Sequence, residues 1–225
     1  MLIRDWMTRD VITVATDTSM MKASKLLKEH DIRRLPVVDD KGTLLGIVTD
    51  RDIKDASPSK ATTLDVHELY YLLSEIKIKD IMTANPYTIH VDDTVEKAAA
   101  VMLDKRISGL PVLDDHDKVV GIITDTDVFK VLINITGVYL GGVQLGLRLP
   151  NSQGSLKAVL DDLRAGKARI ISIMTAYGQT DAEHRDVYIR IHDMEKSLEN
   201  KLEEELRAKY DLTYWVRDNI NPTVL

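Results

Sequence analysis

The sequence of 225 residues has no cysteine, which removes disulfides, thiolate nucleophiles and cysteine-ligated metals together and fits a reducing compartment. It also lacks any apolar run approaching the roughly eighteen residues of a membrane helix. The opening Met1-Leu2-Ile3-Arg4-Asp5-Trp6 sets a charge pair ahead of any apolar stretch, so no cleaved leader is expected and the predicted address is the cytoplasm. Positive charge is short as well: the formal net charge is −6, which works against non-specific binding to nucleic acid or anionic lipid. What is present is ordinary for a globular chain, with 44% hydrophobic and 29% charged residues. The length suggests two domains.

A repeat organises the first 136 residues. Residues 3–53 align without a gap onto 78–128, and 19 of the 51 pairs are identical, where composition alone would give roughly three. Ile3-Arg4-Asp5-Trp6-Met7-Thr8 matches Ile78-Lys79-Asp80-Ile81-Met82-Thr83. Short strands at Thr13-Val14 and Thr88-Ile89 precede the helix-capping runs Asp17-Thr18-Ser19 and Asp92-Asp93-Thr94. The helices that follow place Met20, Ala23, Leu26, Leu27 and Val95, Ala98, Val101, Met102 at core-facing spacing. Leu35-Pro36-Val37-Val38-Asp39-Asp40 and Leu110-Pro111-Val112-Leu113-Asp114-Asp115 then read as strands closed by acidic turns. Each pairs with a second run, 44–49 or 119–124, that feeds directly into a helix at Asp50 or Asp125.

The order of elements, together with Leu-Pro-Val-Val-Asp and Gly-Ile-Val-Thr-Asp-Arg-Asp, resembles the CBS motif, two of which make a Bateman module. The expected fold class is therefore α+β, a CBS pair of two β-α-β-β-α units, with motif 1 and its linker over 1–77 and motif 2 over 78–136.

The chemistry of the repeated turn supports a ligand site. In Gly46-Ile47-Val48-Thr49-Asp50-Arg51-Asp52 and Gly121-Ile122-Ile123-Thr124-Asp125-Thr126-Asp127 a strand enters a helix N-terminus, where free N–H groups favour an anion. Thr49 and Thr124 can donate to a phosphate oxygen, and Asp52 and Asp127 can accept from ribose hydroxyls. The same Thr-x-x-Asp is close to a helix capping box, a role compatible with the first. The resemblance implies an adenosyl ligand (AMP, ADP, ATP or S-adenosylmethionine) with adenine against Thr13-Val14 or Thr88-Ile89. Arg33 and Arg34 can reach a polyphosphate as forked donors or stand as a solvated pair. Their counterparts are Ser108 and Gly109, so two unequal clefts are expected.

Between the copies a helix is predicted from about Leu64 to Glu75, with Tyr70 and Tyr71 available either to stack on a base or to pack. Beyond Gly137 the pattern changes to strand from Val138, helix through Leu163, strands at 168–177 and 186–192, a helix reaching Tyr210, and a strand near Leu212. That is the ferredoxin-like βαββαβ order. The loop Arg148-Leu149-Pro150-Asn151-Ser152-Gln153-Gly154-Ser155 resembles that of an ACT domain. The resemblance implies an ACT-like domain over 138–217, with 218–225 a tail, and candidate amino-acid contacts at Asn151, Gln153 and Gly154; these residues also read as an ordinary turn and helix cap. A CBS pair followed by an ACT-like unit resembles the AcuB-type acetoin-utilisation proteins.

The six histidines show no metal-ligand spacing, His116 sits in an acidic hairpin turn, and no catalytic signature is found. The leading expectation is a non-catalytic sensor, dimeric, requiring no metal, acting on a client enzyme or transporter. The runner-up is an amino-acid sensor that uses the CBS pair as scaffold.

Overall fold

The computed structural model describes residues 1–57, 71, 74–176, 182–218 and 220. Most of the expected linker helix, Tyr70 with it, and part of the loop after residue 176 lie outside those residues. The chain divides into two compact units, Met1–Val128 and Phe129–Leu225.

In the first unit, copy 1 contributes α1 (Met20–Glu29), β1 (Arg34–Val38), β2 (Leu44–Thr49) and α2 (Asp50–Ala56). Copy 2 opens with α3 (Ile78–Ile81), β3 (Thr83–Ala84) and β4 (Ile89–His90), then repeats the pattern as α4 (Val95–Lys105), β5 (Gly109–Leu113), β6 (Val119–Thr124) and α5 (Asp125–Thr136), whose residues from Phe129 on are counted with the second unit. The last residue of each polar run is the cap: Ser19 Oγ accepts from Lys22 N and Thr94 Oγ1 from Lys97 N. From each helix the predicted face is buried, through Met20, Ala23 and Leu27 or Val95, Ala98 and Met102. The acidic turns are locked alike, Asp39 accepting from the N–H of Lys41 and Thr43, and Asp114 from those of His116 and Lys118.

The copies exchange their first segments. β3 of copy 2 joins β1 and β2 in one sheet, pairing Gly46 with Ala84 and Ile47 with Thr83, while Thr8 of copy 1 bridges to Ile122. Ile78 N donates to Thr18 O and Ile3 N to Asp93 O, and Ile78 packs inside the core of copy 1. Each exchange occurs twice with the partners' roles reversed, which defines a pseudo-twofold relation. It also explains the repeated glycine. A Cβ on Gly46 would lie 2.6 Å from Met82 Sδ and 3.0 Å from Thr83 O, and one on Gly121 would overlap Met7 Sδ. That glycine admits the other copy's chain and is no sign of a ligand. The strand expected at Thr13-Val14 reduces to a single bridge, Val14 to Val37.

The second unit holds β7 (Val143–Pro150), α6 (Ser155–Ala165), β8 (Ile170–Ala176), β9 (His184–Ile191), α7 (Lys196–Lys209) and β10 (Asp211–Arg217). Its sheet is antiparallel with strand order β10-β7-β9-β8. Alternate residues of β7 and β9, Val143 to Leu149 and Val187 to Ile191, pack with Val159, Leu163, Leu202 and Leu206 into one core. The chain from Val138 to Leu140 forms a 3-10 turn in place of the expected strand start, and Tyr210 falls just past α7. Gly137 and Gly141 flank that turn with positive φ, which interrupts extended pairing there. The opposite sheet face buries Arg190, which donates to Asp218, Gln144 and Gly141 O.

Candidate functional site

Both predicted turns form at the strand-to-helix junctions β2–α2 and β6–α5. Thr49 Oγ1 donates to Asp52 Oδ2 at 2.7 Å, Thr49 N donates to the same oxygen at 2.7 Å, and Asp52 N donates back to Thr49 Oγ1 at 3.3 Å. The second copy repeats this, with Thr124 Oγ1 to Asp127 Oδ2 at 2.7 Å, Thr124 N at 3.0 Å and Asp127 N to Thr124 Oγ1 at 3.4 Å. The capping role is therefore realised at both turns. Their exposure differs: Asp127 is buried at 6% and Asp52 is half-exposed.

A cleft of about 940 Å³ opens over the first turn. Arg33, Arg34, Thr49 and Asp52 line it from copy 1, together with Arg51 and the ion pair Lys54–Asp50. Copy 2 supplies Asn85, Pro86 and Tyr87, then Met102 and Leu103 of α4 and its C-cap Arg106, followed by Ser108 and Gly109. Apolar and aromatic side chains come mostly from copy 2 and charged ones of both signs from copy 1, with Arg106 a cation on the copy 2 side. Lys105 Nζ stands 5.4 Å from the Tyr87 ring centroid.

Arg34 occupies the centre of the pseudo-symmetry. Its Nη2 donates to Ser108 Oγ at 2.7 Å, while Nη1 is buried without a partner. A Cβ on Gly109 would overlap that Nη1 and stand 3.1 Å from Ile123 O. Residue 109 is therefore glycine because the side chain of its own counterpart, residue 34, fills the space. Burial draws the guanidinium below its ordinary pKa, with Asp125 opposing that shift and Arg33 adding to it. Asp50 is held low in turn, chiefly by its hydrogen bond from Lys54.

This placement corrects one expectation. Arg33-Arg34 and Ser108-Gly109 do not sit in separate clefts; all four line the same one, because the counterparts meet where the copies face each other. Thr13, Val14, Thr88 and Ile89 are not among its lining residues. Val14 and Ile89 are buried, and Val14 spends its N–H on Pro36 O and its carbonyl on Val38 N. Tyr71 is exposed and likewise absent from the lining. Tyr87, Arg106 and Asn85 were missed from sequence, and only their position after β3 or at the end of α4 marks them. Asn151, Gln153 and Gly154 lie on an exposed turn before α6, where Asn151 N donates to Glu183 O and Gly154 takes φ 90°.

Among the described residues no cluster of three or more His, Asp or Glu is placed to hold a metal ion, and no helix is long and apolar enough to cross a membrane.

A family model for the CBS domain matches residues 3–59 and 78–134. A CBS domain-containing protein of Dictyostelium discoideum is 36% identical over 134 residues, 60% of this chain and 92% of that protein. The L-aspartate semialdehyde sulfurtransferase of Methanocaldococcus jannaschii is 37% identical over 130 residues, 58% of this chain but 23% of the enzyme. The chain thus spans under a quarter of that enzyme's length. Among solved structures, CBSX2 of Arabidopsis thaliana in complex with AMP is 32% identical, with TM-score 0.50 and coverage of 60% and 97% of the two chains. A putative acetoin utilization protein (AcuB) of Vibrio cholerae is 30% identical, with TM-score 0.51 and coverage of 61% and 94%. The two copies, their exchanged segments and the matched residues agree: this chain carries a tandem pair of CBS domains and belongs to the CBS-domain family.

Proposed function

We propose that this chain is a non-catalytic regulatory protein that binds an adenosyl ligand in its CBS pair. The observation that carries this reading is the cleft over Thr49–Asp52, with its helix N-terminus, apolar and aromatic wall and unpaired arginines. The AMP complex of CBSX2 supports the ligand class. Asp52 accepts from the ribose hydroxyls and Thr49 Oγ1 donates to a phosphate oxygen, with the twin pair Thr124 and Asp127 serving the second turn; the neighbouring strands at Thr13-Val14 and Thr88-Ile89 frame the two positions. Because both copies line the first cleft, an occupant bridges them, and its preference for one arrangement shifts their equilibrium.

Residues 1–77 and 78–136 form the two motifs in this reading, and 138–217 an ACT-type domain. The βαββαβ order and the strand order β10-β7-β9-β8 support that assignment. Asn151, Gln153 and Gly154 are its candidate contacts. The protein acts as a homodimer on a client enzyme or transporter.

Titration calorimetry with AMP, ATP, S-adenosylmethionine and a panel of amino acids tests the reading. Adenosyl binding is expected, together with a rise of several degrees in melting temperature, since ligand at 100 times Kd stabilises by about 2.7 kcal/mol. Asp52→Asn plus Asp127→Asn keeps an acceptor at each cap and is expected to abolish binding without loss of fold. Absence of any adenosyl binding to the unaltered protein would falsify it. Sedimentation as a monomer at micromolar concentration would count against the dimer.

A further inference from the structure

The sheet of the second unit carries its helices on one face, and its other face sets an aromatic pair beside a buried cation. Tyr214 of β10 pairs with Gly146 of β7, and Gly146 with Tyr188 of β9, so the three form one row across the strands. Gly146 alternates with the core residues Leu145 and Leu147, which puts this row on the face away from α6 and α7. A Cβ on Gly146 would stand 2.4 Å from Tyr214 Cε1, so the missing side chain lets that ring lie over the strand. The two tyrosine rings stack with centroids 6.3 Å apart and planes inclined by 20°, and both residues are half-buried.

The next row on this face, about 7 Å along the strands, pairs Gln144 with Arg190. Arg190 is 3% exposed. Its Nη2 donates to Asp218 Oδ2 at 2.6 Å, while its contacts with Gln144 Oε1 and Gly141 O are longer, at 3.4 and 3.3 Å. Nε lies on the same edge of the guanidinium as Nη2 and is buried without a partner. A carboxylate in the two-point geometry that arginine favours would satisfy both nitrogens. Asp218 makes one of these bonds, and its exposure of 33% puts it on the solvent side of the pair. Burial raises the Tyr214 hydroxyl above its ordinary pKa, with Tyr188, Arg190 and Asp218 near enough to act on it, so the two rows form one electrostatic environment.

We infer that this sheet face binds an aromatic carboxylate, its ring packed on the Tyr188–Tyr214 pair and its carboxylate on the Nε–Nη2 edge of Arg190, with Asp218 as an internal placeholder that the ligand displaces. An uncharged ring leaves Arg190 to Asp218, and an aliphatic carboxylate gains nothing from the aromatic pair. Because Asp218 holds Arg190 in the resting chain, apparent affinity is scaled by the fraction of chains in which that ion pair is open. The site lies toward the start of β7, away from Asn151 beyond its end, and uses residues of the second unit alone, so it is independent of the adenosyl reading.

The test is titration calorimetry of the full chain with hydrocinnamate, hexanoate and the neutral hydrocinnamamide, for the unaltered protein, Asp218→Asn and Tyr188→Leu. Asparagine keeps an oxygen that accepts from Nη2, and leucine keeps an apolar side chain on the face, so both variants are expected to fold, which their melting temperatures check. The expected result is saturable binding of hydrocinnamate that tightens about tenfold in Asp218→Asn and weakens about fivefold in Tyr188→Leu. Hexanoate and the amide are expected to bind about tenfold more weakly than hydrocinnamate. No binding of hydrocinnamate to Asp218→Asn overturns the inference, as does an affinity unmoved by either substitution or equal for the acid and its amide. Adenosine, titrated in parallel, is expected to bind all three proteins alike, so a failure of the adenosyl reading shows there and leaves this site standing.

Discussion

The two CBS copies share a skeleton and differ in what they place around it. Buried positions, capping boxes and acidic turns recur in both because each is fixed by local sequence that the repeat preserves, and the exchanged segments recur with them. Of the 51 aligned pairs 32 differ, among them residues 10, 31, 33, 34 and 51 against 85, 106, 108, 109 and 126. Of these, residues 33, 34, 51, 85, 106, 108 and 109 line the cleft where the copies meet, so a change there alters its lining. Divergence at those positions lets one framework carry two different sets of side chains.

The shared part is best broken at its core. Leu35 and Leu110 are counterparts, each fully buried, and truncation to alanine removes the side chain from a packed site that cannot collapse fully. Leu35→Ala and Leu110→Ala are each expected to destabilise the first unit by about 2–5 kcal/mol. Urea unfolding checks this, and a cost in one copy alone would show that the copies do not share a core design.

The exchange of segments is tested by the glycines. Gly46→Ala and Gly121→Ala push a Cβ against Met82 and Thr83 O, or Met7 and Thr8 O. The expected cost is about 1–3 kcal/mol each, read from thermal unfolding. Stability unchanged in both variants would mean that the close approach of the exchanged chains is not what holds glycine there.

The smallest effect sharpens the likeness of the turns. Backbone donors hold the Asp39 and Asp114 carboxyls below the usual range, chiefly the N–H of Thr43 and of Lys118. A depressed folded-state value means that each contribution is present above the unfolded value of about 3.9 and is lost as pH falls through the folded one. The gap in melting temperature between the unaltered protein and Asp39→Asn is therefore expected to narrow below about pH 4, with Asp114→Asn behaving alike. A gap independent of pH would sink this account.

Much of the fold was legible beforehand. Ser19 and Thr94 cap as their positions imply, the strands at 34–38 and 109–113 end in the predicted acidic turns, and the second unit follows the order read from its periodicity. The extended start at Val138 failed because apolar alternation does not register the positive φ of Gly137 and Gly141. At the candidate site, the turn residues were visible because strand, Thr and Asp are contiguous. Tyr87 and Arg106 were not, since each lies far along the chain from Thr49 and carries no motif of its own.

The sequence by itself determined that the chain repeats, which residues cap and bury, and that the turns can meet an anion. These follow from local spacing and side-chain type. Tertiary structure alone decided that residue 34 and its counterpart 109 share one place, that the repeated glycine serves chain crossing, and that Arg106 lines the same cleft as Thr49. Those facts depend on how two copies dock, and docking joins residues about 75 positions apart through packing that no local pattern encodes.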